Sequence, residues 1–405
     1  MAHAVLACAR IDAAKCAVLR CALRINPVEE APMMILTRRT ELPSRLPCTC
    51  CPPWAPGHAI DAATRAKARA KAAARSAPKA KARRRAAPPS PNSIDVHHHI
   101  SPPAYIKAIG PENMVNSYPA SRTAAYDWTP AMAIEMMDRG GTATAITSLY
   151  SATHLAEHPE RRRLAREANE FAASMARDYP GRFGSFAALP MPDIDGTLRE
   201  IEYALDVLKA DGVYMVTSYD GKWLGDPSFA PVWAELNRRK ATLYTHPTVP
   251  HFLEDLITDI PDTAIEINTD TTRSIANVIF SGTAARSPNV DVIWSHGGGT
   301  LLPVIERFIR LAHRPQLAAR LPKGFMHEVQ RFYYDVAQVA HPVPMAALKT
   351  MVPLSQILFG TDFTFRTATE ISAGLAQSNL TARELRAIHR DNAAKLFPQF
   401  GKLPG

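Results

Sequence analysis

Beyond residue 51 the chain has no cysteine. All six, Cys8, Cys16, Cys21, Cys48, Cys50 and Cys51, lie ahead of Pro52 in a chain of 405 residues. The rest can form no disulfide and offers no thiolate, so a metal held there must rest on imidazole and carboxylate. No run of about 18 apolar residues occurs, which argues against a transmembrane helix. Repeats of fixed period are missing, and so is the Gly-rich first turn of a dinucleotide-binding sheet. Where that turn would follow the first strand, the sequence reads Ile100-Ser101-Pro102-Pro103.

Acidic residues are scarce in one part only. Residues 1–92 carry 17 Lys/Arg and 5 Asp/Glu, out of 47 and 38 in the whole chain, so the remainder is slightly acidic despite a net charge of +9. A nucleic-acid partner inferred from the overall charge would therefore be unfounded. The stretch Thr64–Arg85 is mostly Ala, Lys and Arg, and Pro88, Pro89 and Pro91 follow. Such a segment cannot bury an apolar face. The division is thus a basic, disordered leader over 1–92 and one folded unit over 93–405. A targeting arm or a basic anchor would also account for the leader. The favoured reading is upstream sequence from a misplaced start codon, with Met33 or Met34 as internal alternatives. Cys48-Thr49-Cys50-Cys51 lacks the second spaced pair that a metal site needs.

From residue 93 apolar runs alternate with helical patterns. Strands are expected at 94–99, 143–149, 186–189, 212–217, 242–246, 290–296, 331–336 and 356–361. Helices are expected at 161–178, 197–209 and 228–239, with two more inside 251–289. Eight such units predict an α/β fold, a distorted (β/α)8 TIM barrel, and about 250 residues suffice for one. Loop 110–130, with Tyr118, Tyr126 and Trp128, is a candidate lid.

Four of the predicted strands end on polar residues. They are Asp95-Val96-His97-His98-His99, Tyr244-Thr245-His246-Pro247, Ile293-Trp294-Ser295-His296 and Phe359-Gly360-Thr361-Asp362. Along a strand, residues i and i+2 face one side, so His97 and His99 point together and His98 points away. Two imidazoles, a third from His246 and a carboxylate from Asp362 make a metal site with a position left for water or substrate. Barrel active sites lie at the C-terminal ends of strands, where all four residues fall. A lone histidine is more often a hydrogen-bonded core or surface residue, and His158, His313 and His389 are assigned to that class.

On these residues the chain resembles the amidohydrolase superfamily, in its aminocarboxymuconate-semialdehyde decarboxylase branch. The resemblance covers nearly all of 94–397 and rests on the four motifs, including Ser295-His296-Gly297-Gly298-Gly299 and Gly360-Thr361-Asp362-Phe363. Within the branch, Thr217-Ser218-Tyr219, Leu224-Gly225-Asp226-Pro227 and Leu236-Asn237-Arg238-Arg239-Lys240 are similar to 6-methylsalicylate decarboxylases. The resemblance implies one divalent metal, zinc or another transition metal such as manganese, on His97, His99, His246 and Asp362. It makes His296 the nearby catalytic histidine. Strand four carries no lysine of the kind that bridges two metals in other members.

The implied reaction is nonoxidative decarboxylation of a small aromatic or related unsaturated acid. The metal binds the carboxylate with an ortho hydroxyl, and Asp362 or His296 delivers a proton to the ring, directly or through water. Arg366 is a candidate clamp for an anionic group, or else a surface arginine at the last helix. Phe363, Phe365, Tyr219 and Trp223 are candidate ring-packing residues, or ordinary core. The three glycines after His296 are read as letting the backbone approach the pocket closely. A metal-dependent hydrolase or hydratase on the same scaffold, acting on a lactone, an amide or a double bond, is the alternative. A small-molecule partner, no nucleic acid or membrane, a homodimer and a cytoplasmic location complete the expectations.

Overall fold

The computed structural model describes residues 92–110, 128–150, 152–254, 257 and 259–401. The expectations for the leader, and for most of loop 110–130, lie outside the described residues. Among the described residues ten strands occur in chain order: β1 Ser93–Ile100, β2 Thr142–Leu149, β3 Phe183–Ala188, β4 Gly212–Val216, β5 Ser218–Tyr219, β6 Lys222–Trp223, β7 Thr242–His246, β8 Asp291–Trp294, β9 Tyr333–Asp335 and β10 Ile357–Leu358. Eight form one sheet in the order β1-β2-β3-β4-β7-β8-β9-β10. Every neighbouring pair in it is parallel. The two-stranded hairpin β5–β6 stands apart, directly after β4.

The ring closes between β10 and β1. Val96 N donates to Phe359 O at 3.0 Å, Asp362 N to His97 O at 2.9 Å and His99 N to Phe363 O at 2.8 Å. Each residue of β1 and β2 is buried, as expected of parallel strands covered on both faces. The (β/α)8 barrel read from the alternating pattern is the observed fold. An open doubly wound sheet is excluded by the closure.

Helix Arg161–Asp178 has the bounds expected from its pattern, and it buries Leu164, Ala165, Ala168, Ala172 and Met175. The helix expected at 197–209 begins earlier, at Ile194, because the Asp193 side chain accepts from Gly196 N at 3.0 Å and caps it. Segment 251–289 holds the helices Glu266–Phe280 and Thr283–Arg286. The last three barrel strands are shorter than expected: 290–296 contracts to 291–294, 331–336 to 333–335 and 356–361 to 357–358. Beyond the shortened β8 and β10, His296 and Asp362 take left-handed φ values of 53° and 63°. No helix among the described residues is long and apolar enough to cross a membrane.

Buried Asp95 pins the closing seam. Its Oδ1 accepts from His97 N at 3.1 Å and Thr361 N at 3.0 Å, and its Oδ2 from Thr361 Oγ1 at 2.6 Å. His98 Nδ1 lies 3.1 Å from the same Oδ2. A buried donor left without a partner costs about 1–3 kcal/mol. Asp95→Ala strands several at once, so it is expected to destabilise the metal-free protein by about 2–5 kcal/mol. Denaturant unfolding measures this, and a loss below about 0.5 kcal/mol would show that the seam does not depend on Asp95.

Candidate metal centre

Three strand ends supply one cluster. His97 and His99 come from β1, His246 ends β7, and Asp362 lies just past β10. One ligand atom from each of these four residues falls within 4.8 Å of all the others. The alternation along β1 accounts for the pair. The rings of His97 and His99 meet edge to face with centroids 5.0 Å apart, while His98 turns outward and stacks on Phe363 at 4.5 Å.

The Asp362 carboxylate is divided between two tasks. Its Oδ1 faces the imidazoles, at 3.1 Å from His97 Nε2, 3.2 Å from His99 Nε2 and 3.9 Å from His246 Nε2. Its Oδ2 lies 3.3 Å from His296 Nε2 and accepts from Gln338 Nε2 at 2.6 Å. His296, Gln338 and Asp362 all have left-handed φ. That conformation costs a non-glycine residue about 1–2 kcal/mol, and it is concentrated here around one carboxylate.

Behind the cluster each imidazole is held from its other nitrogen. His97 Nδ1 lies 3.0 Å from Asp335 Oδ2, His99 Nδ1 3.2 Å from Ser148 Oγ, and His246 Nδ1 2.9 Å from Pro247 O. Three Nε2 atoms therefore turn toward one point beside Asp362 Oδ1. His246 Nε2 is buried and has no hydrogen-bond partner. Three Nε2 atoms and one carboxylate oxygen converging on one point fit a divalent cation bound by nitrogen and oxygen.

The electrostatics favour a cation at the same place. Burial opposes charge on His97, but Asp335 and Asp362 outweigh it and lift the imidazole to about 10. Burial pushes His99 down to about 3, against a hydrogen bond to Asp362, with His246 and His97 adding to the fall. His246 is lowered mainly by burial. Burial also works against the Asp362 carboxylate, yet His97 and the bond to His296 hold it well below the usual range.

The other expected site residues make these contacts. Phe363 packs with Ile100, Trp128 and Met137 on the outer side of β1. Tyr219 is buried, with its hydroxyl accepting from Val216 N at 2.9 Å. Trp223 donates to buried Asp270 at 2.7 Å, which ties the β5–β6 hairpin to helix Glu266–Phe280. Arg366 is exposed and pairs with Glu370 at 3.5 Å. Phe365 does approach the cluster: its ring lies 6.3 Å from His99 and stacks on Tyr150 at 5.6 Å. The glycines after His296 press on protein rather than on the cluster. A Cβ on Gly299 would meet Asn268 O at 2.0 Å. His389 is a core residue stacked on Phe359 at 4.6 Å.

Four residues near the cluster were not anticipated. Ser148 is the penultimate residue of β2 and Tyr150 follows its end, so the strand-end rule applied to that strand would have reached them. Asp335 ends β9 inside Tyr333-Tyr334-Asp335-Val336, where it looks like one polar residue on a short strand. Gln338 lies in the following loop and carries no pattern at all.

Residues 94–399 match the amidohydrolase family. A decarboxylase of Aspergillus niger, yanB, is 36% identical over 326 residues, covering 76% of this chain and 88% of that protein. The 6-methylsalicylic acid decarboxylase acuB of Aspergillus aculeatus is 31% identical, covering 76% and 96%. Among solved structures, the 5-carboxyvanillate decarboxylase of Novosphingobium aromaticivorans, complexed with manganese and 4-hydroxy-3-methoxy-5-nitrobenzoic acid, shares the fold. It has a TM-score of 0.69 and 19% identity, covering 76% of this chain and 96% of that one. The chain belongs to the amidohydrolase family, in the branch that contains these decarboxylases.

Proposed function

We propose that this protein is a metal-dependent nonoxidative decarboxylase of a small aromatic acid with a hydroxyl ortho to its carboxylate, of the 6-methylsalicylate type. The observation that carries the reading is the divided carboxylate of Asp362. One oxygen belongs to a three-imidazole cluster, and the other holds a fourth histidine that is not part of it. A cation site and a proton donor thus stand side by side at the mouth of a barrel. The relatives at 31–36% identity, decarboxylases by name, support the choice of reaction.

His97, His99, His246 and Asp362 would hold the ion. The donor set of three imidazoles and one carboxylate suits zinc, with manganese the second candidate. When bound, the ion supplies a Lewis acid that can take the substrate's carboxylate and ortho hydroxyl together. The protein's own residues do the rest. Loss of CO2 from an aryl acid requires a proton on the ring carbon that bears the carboxylate. The carbon–carbon bond then breaks, its electron pair restores the aromatic ring, and a proton from solvent resets the donor. The proton comes from the His296–Asp362 pair, whose Nε2 and Oδ2 lie 3.3 Å apart. Phe365 and Tyr150, stacked beside His99, offer an apolar face to the ring. Residues 93–405 carry this activity.

The full chain with 6-methylsalicylate is expected to give 3-methylphenol and CO2, and to lose that turnover on chelation and in His97→Ala. Bound metal without release of CO2 from any salicylate would remove the substrate assignment and leave the site. His296 is placed on the oxygen that faces away from the ligand cluster, so it should separate chemistry from metal binding. His296→Ala is expected to lower kcat by about 10²–10⁴-fold with unchanged metal content. Loss of the metal in that variant would make His296 a ligand instead.

A further inference from the structure

Asp335 stands between the two halves of the site and belongs to neither. Its Oδ2 lies 3.0 Å from His97 Nδ1. Its Oδ1 accepts from His296 N and Ala337 N, both at 3.0 Å. Both Asp335 and His97 are fully buried. The contact exists because residue 360 has no side chain. A Cβ on Gly360 would lie 2.8 Å from Asp335 Cβ and 2.9 Å from His97 Cβ, so these two strands could not approach with anything larger there.

We propose that Asp335 is the positioning residue that fixes His97 with its proton on Nδ1, leaving Nε2 as the donor atom, while its second oxygen sets the backbone of His296. This rests on the metal reading of the cluster. A carboxylate behind a ligating imidazole fixes the ring's orientation and tautomer, and raises its basicity. Here the same carboxylate also holds the N–H of a residue at φ 53°, a conformation that must be enforced by its surroundings. The ligand strand and the turn bearing the proton donor are thereby aligned by one group, which touches neither substrate nor metal.

Asp335→Asn isolates the effect. Two fixed backbone N–H groups require an oxygen on their side, so the amide's NH2 must face His97 Nδ1. That nitrogen then has to accept, and the proton moves to Nε2, the atom the metal needs. In the full-length protein, competition with a chromophoric chelator is expected to show zinc affinity about 10–100-fold weaker in Asp335→Asn. In a His97→Ala background the same substitution is expected to change affinity by less than about threefold, because the partner it acts through is gone.

An equal loss in both backgrounds would make Asp335 a structural residue, and unchanged affinity in the single variant would overturn the assignment alone. Absence of zinc binding in the wild-type protein would overturn the metal reading and this inference with it. A second measurement does not depend on the variant folding. In the zinc-loaded wild-type protein, 15N NMR of His97 is expected to find the proton on Nδ1. A proton-free Nδ1 would refute the proposal.

Discussion

The structure depends on the seam where the last strand meets the first. β10 and β1 are far apart in sequence, and they carry three of the four clustered donors between them. Asp95 sits under that seam and binds both sides, through His97 N and through Thr361 N and Oγ1. The same contacts that close the barrel therefore set the distance between His97, His99 and Asp362. Fold and site are one problem here, because a shift of a residue in the β1–β10 register would separate the donors as surely as it would open the ring.

Closure alone does not explain the chemistry. The Asp362 carboxylate has two oxygens in different surroundings, one among imidazoles and one between His296 and Gln338. Concentrated anionic charge in a buried place is costly unless matched. Asp335 adds a second carboxylate behind His97. Two buried carboxylates facing each other across an imidazole hold it in its charged form, and a divalent ion beside Nε2 would answer the same field. The backbone pays locally for this arrangement in the left-handed conformations of His296, Gln338 and Asp362.

The fold was legible because apolar runs alternated with amphipathic helical stretches, and a parallel barrel follows from that alternation. The clustered donors were legible for a related reason. Each interrupts an apolar run at its C-terminal end, where burial would otherwise favour a hydrocarbon. Phe363, read from the sequence as a ring-packing candidate, stacks instead on His98. What was not legible depends on contacts between strands that are neighbours only in the closed ring. Asp335 is separated from His97 by 238 positions. Its role appears only when β9 lies against β10 and Gly360 lets β1 come close. Gln338 belongs to a loop whose geometry no local pattern dictates.

The consequence reaches beyond catalysis. Three imidazole Nε2 atoms and one carboxylate oxygen face a common centre, while protein groups saturate their outer sides. Removing that centre leaves His246 Nε2 buried without a partner and His97 dependent on a proton held between two carboxylates. The folded chain forms this arrangement, and the unfolded chain has no preformed counterpart, so whatever free energy a cation gains here adds to the stability of the barrel. The groups that brace the donors, Asp95 at the seam and Asp335 behind His97, then act on both quantities at once. Their effect on stability should grow when the ion is present, since it is the geometry they impose that the ion rewards.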